Sequence, residues 1–463
     1  MKRLVIVGAG ISGLAAARGA RALAGEVPGG LEVLVLERGA AVGGKVVTLR
    51  DAGYLVEMGP TGYLDNEPAI DQLIGWAGMA AQKLPANAAA ARRFLVRGGR
   101  PLEIQMHPLR FARSGLLTPL GLLRMAGEPF VPRKRDATDE SVWSFAARRV
   151  GREAADRMIS PMMLGIFAGD ARRLSLPAAF PRLHVLERDH GGLVRGMLAR
   201  RRQRGAGGPG GAAGTLTSFR DGLQSFLRGL AASPELLVRT GAEVRAIEPR
   251  AAGGWGVLAG ADAIAADAVV LAGEPWAMAP VVREPLPALA AALESIDCPP
   301  VAVVALGYGR EALEKVPRGF GVLVPRGEGY RILGVLWDTH LFEGRSPRDR
   351  LLVRAMLGGA VDPEIGGLTE ERIAALARDE VARLFGLRDA PVYERTTLWP
   401  RAIPQYELGH LDRVAAIEEQ AAAVPGLFVT GNALHGVAFA KAGAHGLSCG
   451  ERAARFLAGD DHV

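Results

Sequence analysis

The chain has 463 residues, 49% of them apolar and 23% charged, and carries a formal net charge of +7. That length supports two or three domains around a sizeable core, and with only Cys298 and Cys449 it excludes a disulfide framework or a Cys-x-x-Cys redox pair. The basic residues are scattered arginines without a nucleic-acid-reading motif, and no stretch of about 18 uncharged apolar residues offers a membrane span, so a cytoplasmic chain, soluble or peripheral, is expected.

Leu4 to Val7 is an apolar run short enough to be a strand buried on both faces. It runs into Gly8-Ala9-Gly10-Ile11-Ser12-Gly13, where glycines permit a tight turn, close approach of backbone to a pyrophosphate and close packing of the helix that follows over Ile11 to Ala24. The amides and dipole at that helix's start favour phosphate. Leu31 to Leu36 reads as the second parallel strand, and Glu37 at its end lies 24 positions after Gly13, where a carboxylate accepts from the hydroxyls of a ribose. Arg38, Gly43, Gly44 and Lys45 add a second diphosphate-facing turn that NAD enzymes generally lack. The cofactor expected from these residues is FAD.

Gly53 to Pro60 completes a first part that ends near residue 85. From about 107 to 200 apolar residues alternate with arginine and proline, as in Leu109-Arg110-Phe111 and Leu120-Gly121-Leu122-Leu123-Arg124, which fits a helical cap that rests on a membrane or encloses a ligand, or a plain buried helix pair. Gly205 to Gly210 also spells Gly-x-Gly-x-x-Gly, but it follows a run of arginines rather than a strand and is expected to be a linker spanning 201–214. Short alternating runs at Leu236 to Arg239, Ala242 to Ile247 and Trp255 to Leu258, and a buried run over Asp267 to Ala272, imply a sheet that returns to the first part. Strands are expected at Val301 to Leu306, Gly321 to Val324 and Leu351 to Met356, with a helix over Thr369 to Phe385 capped by Thr369. A last strand leads through Gly431-Asn432 to a terminal helix whose start, near Gly436-Val437-Ala438, is expected to sit against a reduced flavin ring.

Gly446-Leu447-Ser448-Cys449-Gly450 matches the serine-hydrolase elbow, but without a preceding strand the elbow cannot form. The eight histidines contain no His-x-x-x-His and no carboxylate at ligand spacing, so no metal site is expected. A flavin needs no protein base to take hydride from an electron-rich carbon, so the site requires shape, dryness and an anchor, with no catalytic side chain beyond the flavin itself.

Arg92-Arg93-Phe94-Leu95-Val96-Arg97-Gly98-Gly99, Gly165 to Asp170, Gly319 to Pro325 and Ala402 to His410, taken with the flavin fingerprint, resemble the motif set of the protoporphyrinogen oxidase family almost end to end and in order. The resemblance implies an α/β (α+β) chain of the p-hydroxybenzoate hydroxylase/monoamine oxidase-like type. Its discontinuous Rossmann-like FAD domain would comprise 1–85, 215–280 and 420–463, its mixed-sheet substrate domain 86–106 and 281–419, and its helical membrane-binding or cap domain 107–200. It further implies six-electron oxidation of protoporphyrinogen IX to protoporphyrin IX in three flavin cycles, with dioxygen reduced to hydrogen peroxide, as a step of haem synthesis. By the family pattern Arg93 pairs with a propionate, and Gly165, Phe320, Gly321 and Leu323 line the slot for the tetrapyrrole. Gly8 to Gly13, Glu37, Arg38, Gly43, Gly44, Lys45, Met58, Gly59, Pro60, Thr61, Val244, Trp399, Val437, Ala438 and Phe439 contact FAD. A monomer or homodimer touching the inner face of the membrane and handing its product to ferrochelatase completes what the family implies.

The chain departs from the family at Phe439-Ala440-Lys441, where Lys441 replaces an acidic residue near the flavin's pyrimidine end, so an altered flavin potential is expected. Close relatives oxidise coproporphyrinogen III, which bears four propionates. Arg93-Phe94, the Gly319–Pro325 run and the Ile403-Pro404-Gln405-Tyr406 run favour the two-propionate substrate. An amine oxidase or carotenoid desaturase shares the fold, and a GDP-dissociation-inhibitor-like scaffold would share it without flavin.

Overall fold

The structure is a computed structural model that describes residues 1–105, 107–136, 138–203 and 214–460, with residues 200–203 described by backbone alone. Its centre is a five-stranded parallel sheet in the order Leu237–Arg239, Leu31–Leu36, Lys2–Val7, Ala268–Leu271 and Leu427–Val429. A parallel strand covered on both faces must be apolar along its whole length, and the continuous runs Leu4–Val7 and Ala268–Leu271 meet that demand. The first helix, Ile11–Ala22, and the last, Phe439–Ala458, cover one face together.

Glycine makes that helix pair unusually close. A Cβ on Gly446 would lie 2.2 Å from the Ser12 carbonyl oxygen, one on Gly450 1.8 Å from that of Ala16, and one on Gly19 2.2 Å from that of Leu447. The two glycines of the hydrolase-like motif are therefore packing residues at i and i+4 on one helix face, and Ser448 between them is exposed.

The other face of the sheet carries an antiparallel three-stranded layer, Val244–Pro249, Trp255–Ala259 and Asp262–Ala266, with the helices Pro275–Val282, Pro287–Glu294 and His410–Ala422. Leu289, Leu293, Val414 and Ile417 share a core with Val5 and Leu271. This differs from the expected division of the chain, which put 281–296 and 410–419 with the substrate domain; both segments bury their apolar stripes on the dinucleotide sheet.

A second, seven-stranded mixed sheet runs in the order Tyr393–Trp399, Val301–Tyr308, Leu351–Gly358, Ile332–Leu336, Gly321–Leu323, Phe94–Arg97 and Arg100–Glu103. Its one parallel pairing joins Val322 and Leu323 to Phe94 and Leu95. The helix Glu370–Phe385 backs it, with the Thr369 hydroxyl accepting from the Arg372 amide.

The described residues between 108 and 203 include short helices, among them Pro119–Ala126, Val142–Val150, Ser160–Phe167 and Leu193–Gln203. Helix continues through Arg201 to Gln203, three residues into the segment expected to be linker, while the Gly205–Gly210 repeat of the fingerprint lies outside the described residues. A buried ion cluster organises this region. Arg149, with no exposed surface, donates through Nε to Glu128 at 2.8 Å and through Nη1 to Glu187 at 3.2 Å, and the Glu128 carboxylate also takes the amides of Leu193 and Val194 at the start of the last of these helices. Among the described residues no helix is long and apolar enough to cross a membrane.

Candidate active site and cofactor cleft

The turn after the first strand has the shape a dinucleotide requires. Gly8 has φ of +105°, and a Cβ on Gly13 would stand 1.9 Å from the Gly8 carbonyl oxygen, so helix and turn touch through backbone. Space opens instead at Gly10, where an added Cβ would meet nothing within 4 Å, and Gly10 caps the helix without lending it a side-chain bond. Gly44, at φ +58°, comes up against the Gly10 Cα, and the Gly43 amide donates to the Ala9 carbonyl at 2.9 Å. Backbone amides, a helix N-terminus and an open cradle are what a pyrophosphate needs.

Glu37 reaches back to this turn. Its two carboxylate oxygens each accept one amide, from Ala9 and from Gly39, both at 2.8 Å, which fixes the group and leaves further lone pairs for ribose hydroxyls. Val244 is drawn to the same end because the Ala242 amide donates to the Glu37 carbonyl. Arg38 turns outward and lies over the Trp276 ring, 5.1 Å from its centre, and Arg401 lies over the same ring at 5.3 Å. Lys45 pairs with Glu274 at 2.8 Å and donates to the Ala402 carbonyl, so it bridges the two sheets.

Other residues expected to contact the flavin are held by their neighbours. The Trp399 indole donates to the Met58 carbonyl at 2.8 Å. Phe439 packs on Tyr63 and Phe226, and the last helix begins at Ala438, again without a side-chain cap. Lys441 does not deliver a free charge here: its ammonium is paired with Glu67 and its stem lies against Gly436. The open space at Gly10, the free helix N-terminus and the fixed Glu37 carboxylate fit the pyrophosphate and ribose of FAD.

The helix Ser160–Phe167 packs near the Val437 turn. Gly165, on the helix Ser160–Phe167, sits so close to Leu323 that a Cβ there would come within 2.7 Å of a Leu323 methyl. Phe320 and Leu323 are half-buried, while Met162 and Ile166 on the same helix are 41% and 44% exposed. Arg93 is exposed, its guanidinium 5.4 Å from the Phe320 ring centre, rather than enclosed in an apolar cavity. Gly321 serves the sheet: a Cβ there would lie 2.3 Å from the Val335 carbonyl oxygen.

The model of the family described as flavin containing amine oxidoreductase matches residues 11–454. The chain belongs to the flavin-containing amine oxidoreductase family. It is 28% identical over 453 residues to the coproporphyrinogen III oxidase of Bacillus subtilis (strain 168), covering 94% of each chain. It is 30% identical over 467 residues to the chloroplastic protoporphyrinogen oxidase of Oryza sativa subsp. japonica, covering 94% of this chain and 85% of that one. A solved putrescine oxidase, at 18% identity and a TM-score of 0.70 over 98% of each chain, shares the fold. Membership makes the protein a flavin-dependent oxidoreductase, and the dinucleotide cleft makes its flavin FAD.

As a member of this family the chain holds its flavin cleft in shape with residues that spacing alone did not single out. Arg354 is wholly buried on the strand Leu351–Gly358; it pairs bidentately with Asp338 at 2.7 and 2.8 Å, donates to the Thr61 hydroxyl at 2.9 Å and to the Glu57 carbonyl, and so ties Glu57–Thr61 to the second sheet. Burial alone would pull its pKa down, but Asp338 and Glu57 more than offset this and raise it. The signal was an arginine inside the apolar run Leu-Leu-Val-Arg-Ala-Met-Leu. Glu274 was hidden for another reason: only the fold brings it to Lys45.

Proposed function

We propose that this chain oxidises protoporphyrinogen IX to protoporphyrin IX with dioxygen as acceptor. The observation that carries this reading is the match over 94% of the chain to a protoporphyrinogen oxidase; the packing of Leu323 against Gly165 and of Arg93 over Phe320 supports where the substrate would lie. FAD, held by the turn Gly8–Gly13 and Glu37, would supply the hydride-accepting and oxygen-reactive chemistry. The chain's residues supply position: Leu323 and Phe320 offer a flat apolar wall to the macrocycle, and Arg93 at the water-facing rim meets a propionate that keeps part of its hydration. A guanidinium–carboxylate contact of this kind contributes about 1 kcal/mol when exposed, enough to choose an orientation without trapping the product.

Coproporphyrinogen III is the second reading, supported by the Bacillus subtilis relative, which matches over nearly its whole length. One experiment separates the two. The purified flavoprotein is mixed anaerobically with each porphyrinogen, air is admitted, and initial porphyrin fluorescence is compared; faster growth from the two-propionate substrate is expected, preference for four propionates reverses the choice, and no growth from either removes the porphyrinogen reading. The helical region adds a peripheral membrane contact to the proposal. Leu109, Leu120, Leu123 and Phe130 are 66–85% exposed and stand among Arg110, Arg113 and Arg124, which suits anionic lipid. Release of product to a membrane-side ferrochelatase accords with that placement.

A further inference from the structure

In the segment Ala402–Tyr406 two adjacent side chains, each only 2% exposed, reach opposite walls of the site. The Gln405 amide donates to the carbonyl of Phe167, the last residue of the slot helix, at 2.8 Å. The Tyr406 hydroxyl donates to the Asn432 carbonyl at 2.5 Å and accepts the Gly436 amide at 2.8 Å, closing the turn that launches the last helix at Ala438. Val437, Phe167 and Tyr406 lie in one apolar cluster.

The segment itself is fixed. The Gln405 backbone N–H donates to the Asp297 carbonyl, the Tyr406 carbonyl accepts from the Ser175 backbone N–H, and the Tyr406 ring stacks on His410 with centres 3.9 Å apart. Burial pushes the Tyr406 phenol well above its ordinary range, so it stays a donor.

We infer that Gln405 and Tyr406 are positioning residues that set the distance between the slot helix and the flavin end of the cleft. Gln405 fixes one wall and Tyr406 the other, and because the two residues are adjacent both anchors hang from one fixed stretch of backbone. Hydride transfer is acutely sensitive to such spacing, with misplacement by about 1 Å costing roughly a hundredfold in rate. The Gln405 half rests on the porphyrinogen reading of the slot; the Tyr406 half needs only the flavin.

Tyr406→Phe keeps the ring and its stack but removes both hydrogen bonds. One FAD per chain is expected to remain, with altered visible absorption and visible circular dichroism, a rate of flavin reduction lowered about tenfold and KM within about twofold of the parent. Gln405→Leu is expected to do the converse, raising porphyrinogen KM about fivefold with an unchanged flavin spectrum; Gln405→Asn, which keeps the amide one methylene short, gives an intermediate KM and serves if the leucine variant does not fold. A parental spectrum and parental rates in Tyr406→Phe overturn the inference, as do two variants that shift kcat, KM and Tm alike. If the parent itself turns over neither porphyrinogen, the functional reading falls, while the visible circular dichroism of Tyr406→Phe still decides the flavin half.

Discussion

Arg93 and His410 illustrate how the same two variables, charge and exposure, give opposite duties to single residues. Arg93 keeps its hydration at the slot rim, so it can orient a carboxylate at little cost. For Arg93→Ala we expect porphyrinogen KM to rise roughly three- to tenfold at unchanged FAD content, since the anchor lies outside the cofactor cleft; steady-state kinetics with a flavin count check both halves, and an unaltered KM removes Arg93 from the site. His410 has no exposed surface, and burial pulls its imidazole from 6.5 down to about 4. Because the folded form resists the proton that the unfolded form accepts below 6.5, the neutral imidazole is compatible with the fold above that pH, and stability is lost as pH falls from 6.5 towards about 4. The loss amounts to about 3 kcal/mol. His410→Phe, which keeps an aromatic partner for Tyr406 and cannot titrate, is expected to flatten the fall in Tm between pH 7 and 4.5; equal slopes in parent and variant would refute this.

Among the elements, the helix Leu193–Gln203 depends on a charge far from it in sequence. Its first amides are taken by Glu128, whose own charge is met by Arg149. Removing one partner of a buried pair leaves the other uncompensated at a cost of about 3–5 kcal/mol, so Arg149→Met is expected to lower the unfolding midpoint and open the helical region to limited proteolysis, with the flavin spectrum intact. This cluster was not legible in the sequence, because Glu128, Arg149 and Glu187 are separated by tens of residues and nothing in their local spacing marks them as partners. The dinucleotide elements were legible for the opposite reason. A strand, a glycine turn and a helix lie within the first 22 residues, so local periodicity and turn chemistry decide them without long-range information. Arg354 falls between these cases: a charge inside an apolar strand signals a buried partner, but only the fold names Asp338. The hydrolase-like Gly446–Gly450 spacing reads correctly as helix, while its purpose, close approach to the first helix, needed the neighbour to be seen.

At the scale of the molecule, two sheets meet along the cofactor cleft and a helical region stands to one side with its apolar residues uncovered. We expect vesicles containing about one third phosphatidylglycerol to co-sediment the protein at low salt, neutral phosphatidylcholine vesicles to leave it in solution, and Leu120→Glu with Phe130→Glu to abolish pelleting without loss of FAD. Retention by neutral lipid alone, or indifference to the substitutions, would place the membrane contact elsewhere or remove it.

The glycine-lined seam between the first and last helices has a consequence for biosynthesis. The glycine turn and the first helix lie within the opening two dozen residues, but the helix that packs along them is not complete until residue 458 has been added. Until that late helix is made, a nascent chain carries the first helix with its apolar flank uncovered, so the nucleotide groove is finished, and colour acquired, only once residues up to 458 are available.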